Sequence, residues 1–151
     1  MKKIITALIL ILILLFFTTG CTKEKFYLDS KFYKESKYID LTKAEYNSLT
    51  DENYIIYTYN SYCNFKIPCD NIFKETMDKY NLSFYSMPYS DLKETELHNT
   101  VKFAPSIIII KNKKVVAYLK ADSDDDYDKY QNSESFTNWL ESYIYLEPQS
   151  T

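Results

Sequence analysis

VKFAPSIIIIKNKKVV, residues 101–116, decides the fold. Ala104-Pro105 is followed by Ser106 and four isoleucines, Ile107 to Ile110, and then by Lys111-Asn112-Lys113-Lys114. The chain resumes with Val115-Val116-Ala117-Tyr118-Leu119. Two β-rich runs around a short polar turn, in which Asn supplies a positive φ, predict an antiparallel hairpin.

Outward from the hairpin, strand and helix signals alternate. Tyr54-Ile55-Ile56-Tyr57-Thr58-Tyr59 is β-branched and aromatic throughout, the pattern of a strand buried on both faces, and it runs into a loop carrying Cys63. After Pro68, the segment Asp70 to Tyr80 sets Ile72, Phe73, Met77 and Tyr80 on one helical stripe, with Asp70 where the helix dipole favours an acid. Leu82 to Met87 alternates as a strand, and Asp91 with Glu94 opens a short helix ending near Val101. Towards the N-terminus, Tyr38 to Leu41 reads as an edge strand, and Thr42 with Glu45 forms a capping box for a helix reaching about Leu49. At the other end Phe136, Trp139, Leu140, Tyr143 and Ile144 mark a closing amphipathic helix. The order β-α-β-α-β-α-β-β-α predicts an α/β domain, a mixed central sheet with helices on both faces.

The 151 residues hold no arginine and one glycine, Gly20, so Gly-rich phosphate loops are excluded from everything after it. Lys2-Lys3, the apolar stretch Ile4 to Phe17 and the small residues up to Gly20 read as an export signal, residues 1–20, too short for a membrane span of ~20 residues. Thr18-Thr19-Gly20-Cys21 resembles the bacterial lipobox, with Thr18 departing from the usual Leu; the resemblance implies that Cys21 is diacylated and becomes the first mature residue. Two acyl chains suffice for stable attachment, so the domain is expected at the cell membrane, lipid-anchored on the extracytoplasmic side. Residues 21–36 are expected to form the lipidated Cys and a flexible tether spanning on the order of 20 Å, with the domain at 37–147 and a tail at 148–151. Beyond the leader, sixteen lysines face 21 acids, a net charge of −5 that disfavours nucleic acid as a partner. With Cys21 committed to lipid, Cys63 and Cys69 are left, an even number in a setting where disulfides persist.

YIIYTYNSYC (54–63) and VKFAPSIIIIKNKKVV (101–116) together resemble the thioredoxin superfamily, over roughly Tyr38 to Leu146. The first resembles that family's central strand running into an aromatic residue and a nucleophilic cysteine. The second resembles its cis-proline loop, strand, turn and final strand. The family spaces its cysteines C-x-x-C; here CNFKIPC puts five residues between them, although Ile67-Pro68-Cys69 keeps the look of the family's Gly-Pro-Cys ending. The resemblance implies a thioredoxin-like fold, Cys63 as attacking and Cys69 as resolving thiol, a cis Ala104-Pro105 bond facing them, and Tyr62, Ala104 and Pro105 against the substrate. The partners would be protein or peptide thiols and disulfides. Similar small lipoproteins include bacteriocin transport accessory proteins, in which the domain serves a secreted peptide or its exporter.

The residues also carry a plainer reading. A Cys63–Cys69 bond that only pins strand to helix contributes roughly 2 kcal/mol by loop closure and leaves a non-catalytic accessory or binding lipoprotein. Two thiols with no nearby His are too few for a closed zinc site, and neither a metal nor another cofactor is expected. If the helix begins near Pro68, Cys69 lies in its first turn and Cys63 further out, where Lys66 is the nearest cation in sequence. Asp122, Asp124, Asp125, Asp126 and Asp128 fail the calcium-loop pattern, with Lys129 in place of its Gly and Ser135 in place of its Glu, and read as a solvated acidic loop. His98, the single histidine, reads as a surface residue, and a monomer is expected.

Overall fold

The structure is a computed structural model that describes residues 24–60 and 66–149. Its five strands are β1 (Lys37–Asp40), β2 (Tyr54–Tyr59), β3 (Ser83–Pro88), β4 (Ser106–Lys111) and β5 (Lys114–Tyr118). The sheet order is β1-β3-β2-β4-β5. β3 pairs in parallel with both β1 and β2, and β4 runs antiparallel to β2 and β5. With the Ala104-Pro105 bond cis at the entrance to β4, this is the thioredoxin-like arrangement.

Burial follows from the strand sequences. β2, β3 and β4 are each buried for five of six residues, so β3 is covered on both faces, unlike the half-buried alternation its sequence suggests. Ser83 and Ser86 are tolerated inside, Ser83 because its hydroxyl donates to the Glu35 carbonyl. Alternation along β2 aims Tyr57 at Phe73 of α2 (Cys69–Tyr80) and Tyr54 at Tyr85 on the opposite face. Phe73 is fully buried and also meets Tyr130 of α4 (Asp124–Gln131) and Phe136 of α5 (Ser133–Glu141), so these three helices close one face.

The shorter helices α1 (Lys43–Tyr46) and α3 (Tyr89–Leu92) show what local signals decide. Thr42 caps α1 as expected: its hydroxyl accepts from the Glu45 N–H and its own N–H donates to the Glu45 carboxylate. Asp91 and Glu94 make no such box. Pro88 is the N-cap of α3, and Asp91 accepts from the backbone N–H of Lys43 while Glu94 pairs with the Lys43 ammonium at 2.6 Å, stapling α3 to α1. The rest of the helix expected up to Val101 is a 3-10 turn, Glu96–Asn99.

Two further expectations are corrected. The segment expected as a tether, 21–36, is packed against the domain from Phe26 onward. Phe26 forms a parallel bridge with Ile144, and Leu28, Phe32 and Tyr33 are buried. The Tyr33 hydroxyl accepts from the Leu28 N–H and donates to the Tyr145 carbonyl, and Asp29 accepts from the N–H groups of Glu52 and Asn53. Irregular spacing hid these apolar side chains because a strap laid across a core needs anchors, not a period. The acidic run is likewise not a solvated loop but α4. Asp124, Asp125 and Asp126 occupy its first turn, where the helix dipole favours them, and Tyr130 is its buried anchor.

The hairpin turn uses two residues of positive φ, Asn112 (50°) and Lys113 (61°). Asn tolerates that region, whereas a Lys there carries the Cβ clash that glycine avoids. Lys113→Gly is expected to raise stability by about 0.5–1 kcal/mol, read as a higher urea midpoint at unchanged slope. The backbone bond from Lys113 N–H to the Glu52 carbonyl, 3.0 Å, survives the change.

Candidate functional site

Three segments converge at the C-terminal end of β2. The strand's own polypeptide continues to Asn60, whose side-chain amide donates to the Ala104 carbonyl at 3.2 Å, joining the strand end to the cis-proline loop. From the opposite side the Tyr130 hydroxyl donates to the Pro105 carbonyl at 2.8 Å, so both carbonyls flanking Pro105 are held by side chains from other elements. Pro105 is buried, Ala104 half-buried, and Phe103 just before them is 52% exposed. Part of the loop therefore faces outward as a surface that an extended chain can meet.

Cys69 is the first residue of α2. Pro68, with φ −55°, is its N-cap, as the missing N–H and fixed φ of proline allow. The residue is 1% exposed, with its sulfur 3.8 Å from the Tyr57 hydroxyl. The approach to the helix is clamped by Gln131 of α4: its carbonyl oxygen accepts from the Ile67 N–H at 3.1 Å and its amide donates to the Ile67 carbonyl at 3.0 Å. This two-way bond fixes the backbone before Pro68 although Ile67 itself is 40% exposed.

The Tyr57 ring beside the sulfur belongs to an aromatic cluster. Tyr57 lies 5.3 Å from Tyr38, 5.9 Å from Tyr59 and 5.5 Å from Phe73, ring centroid to centroid. With Asn60, Asp70 and Ser86 the three tyrosines line a surface hollow of about 340 Å³. Burial drives the Tyr57 hydroxyl pKa well above the ordinary phenol range, and the neighbouring Cys69 pushes it the same way. Burial likewise raises Tyr38 and Tyr130, with Asp70 adding to the first and Cys69 to the second. All three therefore stay protonated at neutral pH.

Of the residues singled out from the sequence, the structure brings Cys69, Ala104 and Pro105 to one end of the sheet and gives Ala104-Pro105 the cis bond that the resemblance implied. Cys63, Tyr62 and Cys21 lie outside the described residues. Lys66 is exposed beside Ile67. His98 sits half-buried in the 3-10 turn with Nδ1 3.2 Å from the Val101 carbonyl. Among the described residues no cluster of His, Cys, Asp and Glu suits a metal ion.

Four further residues build the site: Tyr57, Asn60, Tyr130 and Gln131. Strand parity points Tyr57 at the helix that starts with Cys69, a signal present in the sequence once that helix is known. The other three act through partners 25 to 64 residues away, and no local pattern marks them.

No protein-family model matches the chain, and no curated protein matches it. Solved structures similar to it include a thioredoxin of Schistosoma mansoni, 22% identical, covering 71% of this chain and 98% of that one with a TM-score of 0.46. A thioredoxin f2 solved with ferredoxin:thioredoxin reductase is 18% identical, covering 72% of this chain and 96% of that one with a TM-score of 0.49. Thioredoxin NaTrxh from Nicotiana alata is 16% identical, covering 73% of this chain and 96% of that one with a TM-score of 0.47.

Proposed function

We propose that this chain is a lipid-anchored extracytoplasmic thiol–disulfide oxidoreductase acting on protein or peptide disulfides through Cys63 and Cys69. The observation that carries the reading is the meeting, at one strand end, of a buried cysteine heading a helix and a cis Ala104-Pro105 peptide tied to that strand through Asn60. In the reducing direction the Cys63 thiolate attacks one sulfur of a substrate disulfide; the substrate S–S bond breaks and its other sulfur leaves as a thiolate and takes a proton. Cys69 gives up its proton and attacks the Cys63 sulfur. The mixed disulfide breaks, the second substrate thiol departs, and two electrons have passed to the substrate while a Cys63–Cys69 bond has formed. The surface at the exposed Phe103, next to Ala104, is where an extended substrate segment would lie.

Attachment through Cys21 gives this chemistry an orientation. Four residues separate Cys21 from the packed Phe26, a reach of at most about 18 Å. Phe26 lies under the Lys111 ammonium, 5.1 Å from its ring centre, at the end of β4 remote from Pro105. A short leash at that end turns the Cys69 end of the sheet away from the bilayer, towards partners outside the cell membrane.

The test is insulin reduction by a soluble form beginning at residue 22, with dithiothreitol as reductant. Turbidity is expected to appear well before that of the reductant alone. No acceleration, together with a Cys63–Cys69 reduction potential below about −300 mV, would leave a structural disulfide in a non-catalytic accessory lipoprotein, for peptide or bacteriocin export for example.

A further inference from the structure

A resolving cysteine that is 1% exposed has a problem of charge. It must be a thiolate when it attacks, yet burial penalises charge unless a donor is aimed at it. The helix start supplies part of the answer, since Cys69 stands in the first turn of the twelve-residue α2. Among the described residues the groups that face the sulfur are tyrosines from three elements: Tyr38 of β1, Tyr57 of β2 and Tyr130 of α4. The carboxylates that act on these tyrosines are Asp70 on Tyr38 and Tyr57, Asp78 on Tyr38, and Asp122 and Asp126 on Tyr130.

Two of those tyrosines spend their protons elsewhere. The Tyr130 hydroxyl donates to the Pro105 carbonyl, and the Tyr38 hydroxyl points at the Asp70 carbonyl, 3.5 Å away. Tyr57 has its hydroxyl 3.8 Å from Cys69 Sγ, hydrogen-bond range for sulfur. Phe73 and Tyr38 pack on its ring, so its position is set by the core and does not depend on substrate.

We propose that Tyr57 is a catalytic hydrogen-bond donor: its hydroxyl, held 3.8 Å from Cys69 Sγ by the core of the domain, stabilises the thiolate with which Cys69 resolves the mixed disulfide. This rests on the oxidoreductase reading above. The phenol keeps its proton throughout; the proton that Cys69 releases passes through water to the departing substrate thiolate, so the step balances with no further reagent. Burial keeps the Tyr57 hydroxyl protonated across the working pH range, as a donor must be.

The reaction of the reduced protein with Ellman's reagent separates the two thiols in time. Attack by Cys63 releases one thionitrobenzoate, and attack by Cys69 on the resulting mixed disulfide releases a second. In Tyr57→Phe, which keeps the ring and removes only the oxygen, the first phase is expected to hold its rate. The second should slow about tenfold at neutral pH, with its pH profile moved about one unit to the alkaline side, the size of a lost hydrogen bond to a charged group. Tyr80→Phe, which removes a hydroxyl from the far end of α2, should leave both phases within about twofold. A second phase of unchanged rate and pH profile in Tyr57→Phe overturns this assignment while leaving the oxidoreductase reading intact. Failure of the unaltered protein to release a second equivalent overturns that reading itself.

Discussion

Cys69→Ser is expected to convert turnover into capture. With the resolving sulfur gone, Cys63 still attacks a substrate disulfide, but nothing inside the protein breaks the mixed disulfide that results. The variant should accumulate covalent adducts with its substrates, visible as reductant-sensitive bands of higher mass, while insulin reduction falls towards the level of the reductant alone. Cys63→Ser should lose activity equally and form no adducts, because Cys69 is 1% exposed behind Tyr57 and cannot reach an incoming disulfide. The asymmetry is what matters. A structural disulfide would make both variants behave alike, with a modest loss of stability of roughly 2 kcal/mol and no adducts from either. Adducts formed by Cys63→Ser but not by Cys69→Ser would reverse the roles assigned to the two sulfurs.

Phe73→Ala is expected to cost about 3–5 kcal/mol, a large part of the 5–15 kcal/mol that holds a domain of this kind together. Phe73 is fully buried at the point where the helices meet the sheet, its ring 5.5 Å from Tyr57, 5.8 Å from Tyr130 and 4.6 Å from Phe136. Those contacts join β2, α4 and α5 to α2, so the cavity cannot close by moving one element without loosening another. Chemical denaturation should show the loss as a lower midpoint. Because Tyr57 and Tyr130 lean on the same ring, the variant should also blur the site, slowing resolution by Cys69 under conditions in which most molecules remain folded. Full retention of stability would mean that the helices are held by their hydrogen bonds and by their other apolar contacts.

How far local pattern reaches is clear from particular elements. The strands β2 and β4 and the helix α2 were legible because burial imposes periods on them: continuous apolar residues for a strand covered on both faces, a stripe for a helix covered on one. The Thr42 capping box was legible because both partners lie within one turn. The same three-residue spacing misled at Asp91 and Glu94, where Lys43, some fifty positions away, offered both acids better partners. The strap at Phe26 to Tyr33 and the helix at Asp124–Gln131 were missed for a related reason. Each buries a few anchors, Phe26, Leu28, Phe32 and Tyr33 in the first and Tyr130 in the second, without repeating them at a period.

The site divides along the same line. Cys69 at a helix start and the proline before β4 are local facts, each readable from its own neighbours. That Asn60 ties the strand end to Ala104, that Tyr130 reaches Pro105, and that Gln131 clamps Ile67 are consequences of packing. The amino-acid order by itself determined the five strands, their succession and the helix α2, since backbone hydrogen bonding and one-sided burial act between residues a few positions apart. Only the tertiary structure decided which hydroxyl stands 3.8 Å from the Cys69 sulfur, because that distance is set by where a helix comes to rest on a sheet. Many side chains settle that position together, and none of them settles it alone.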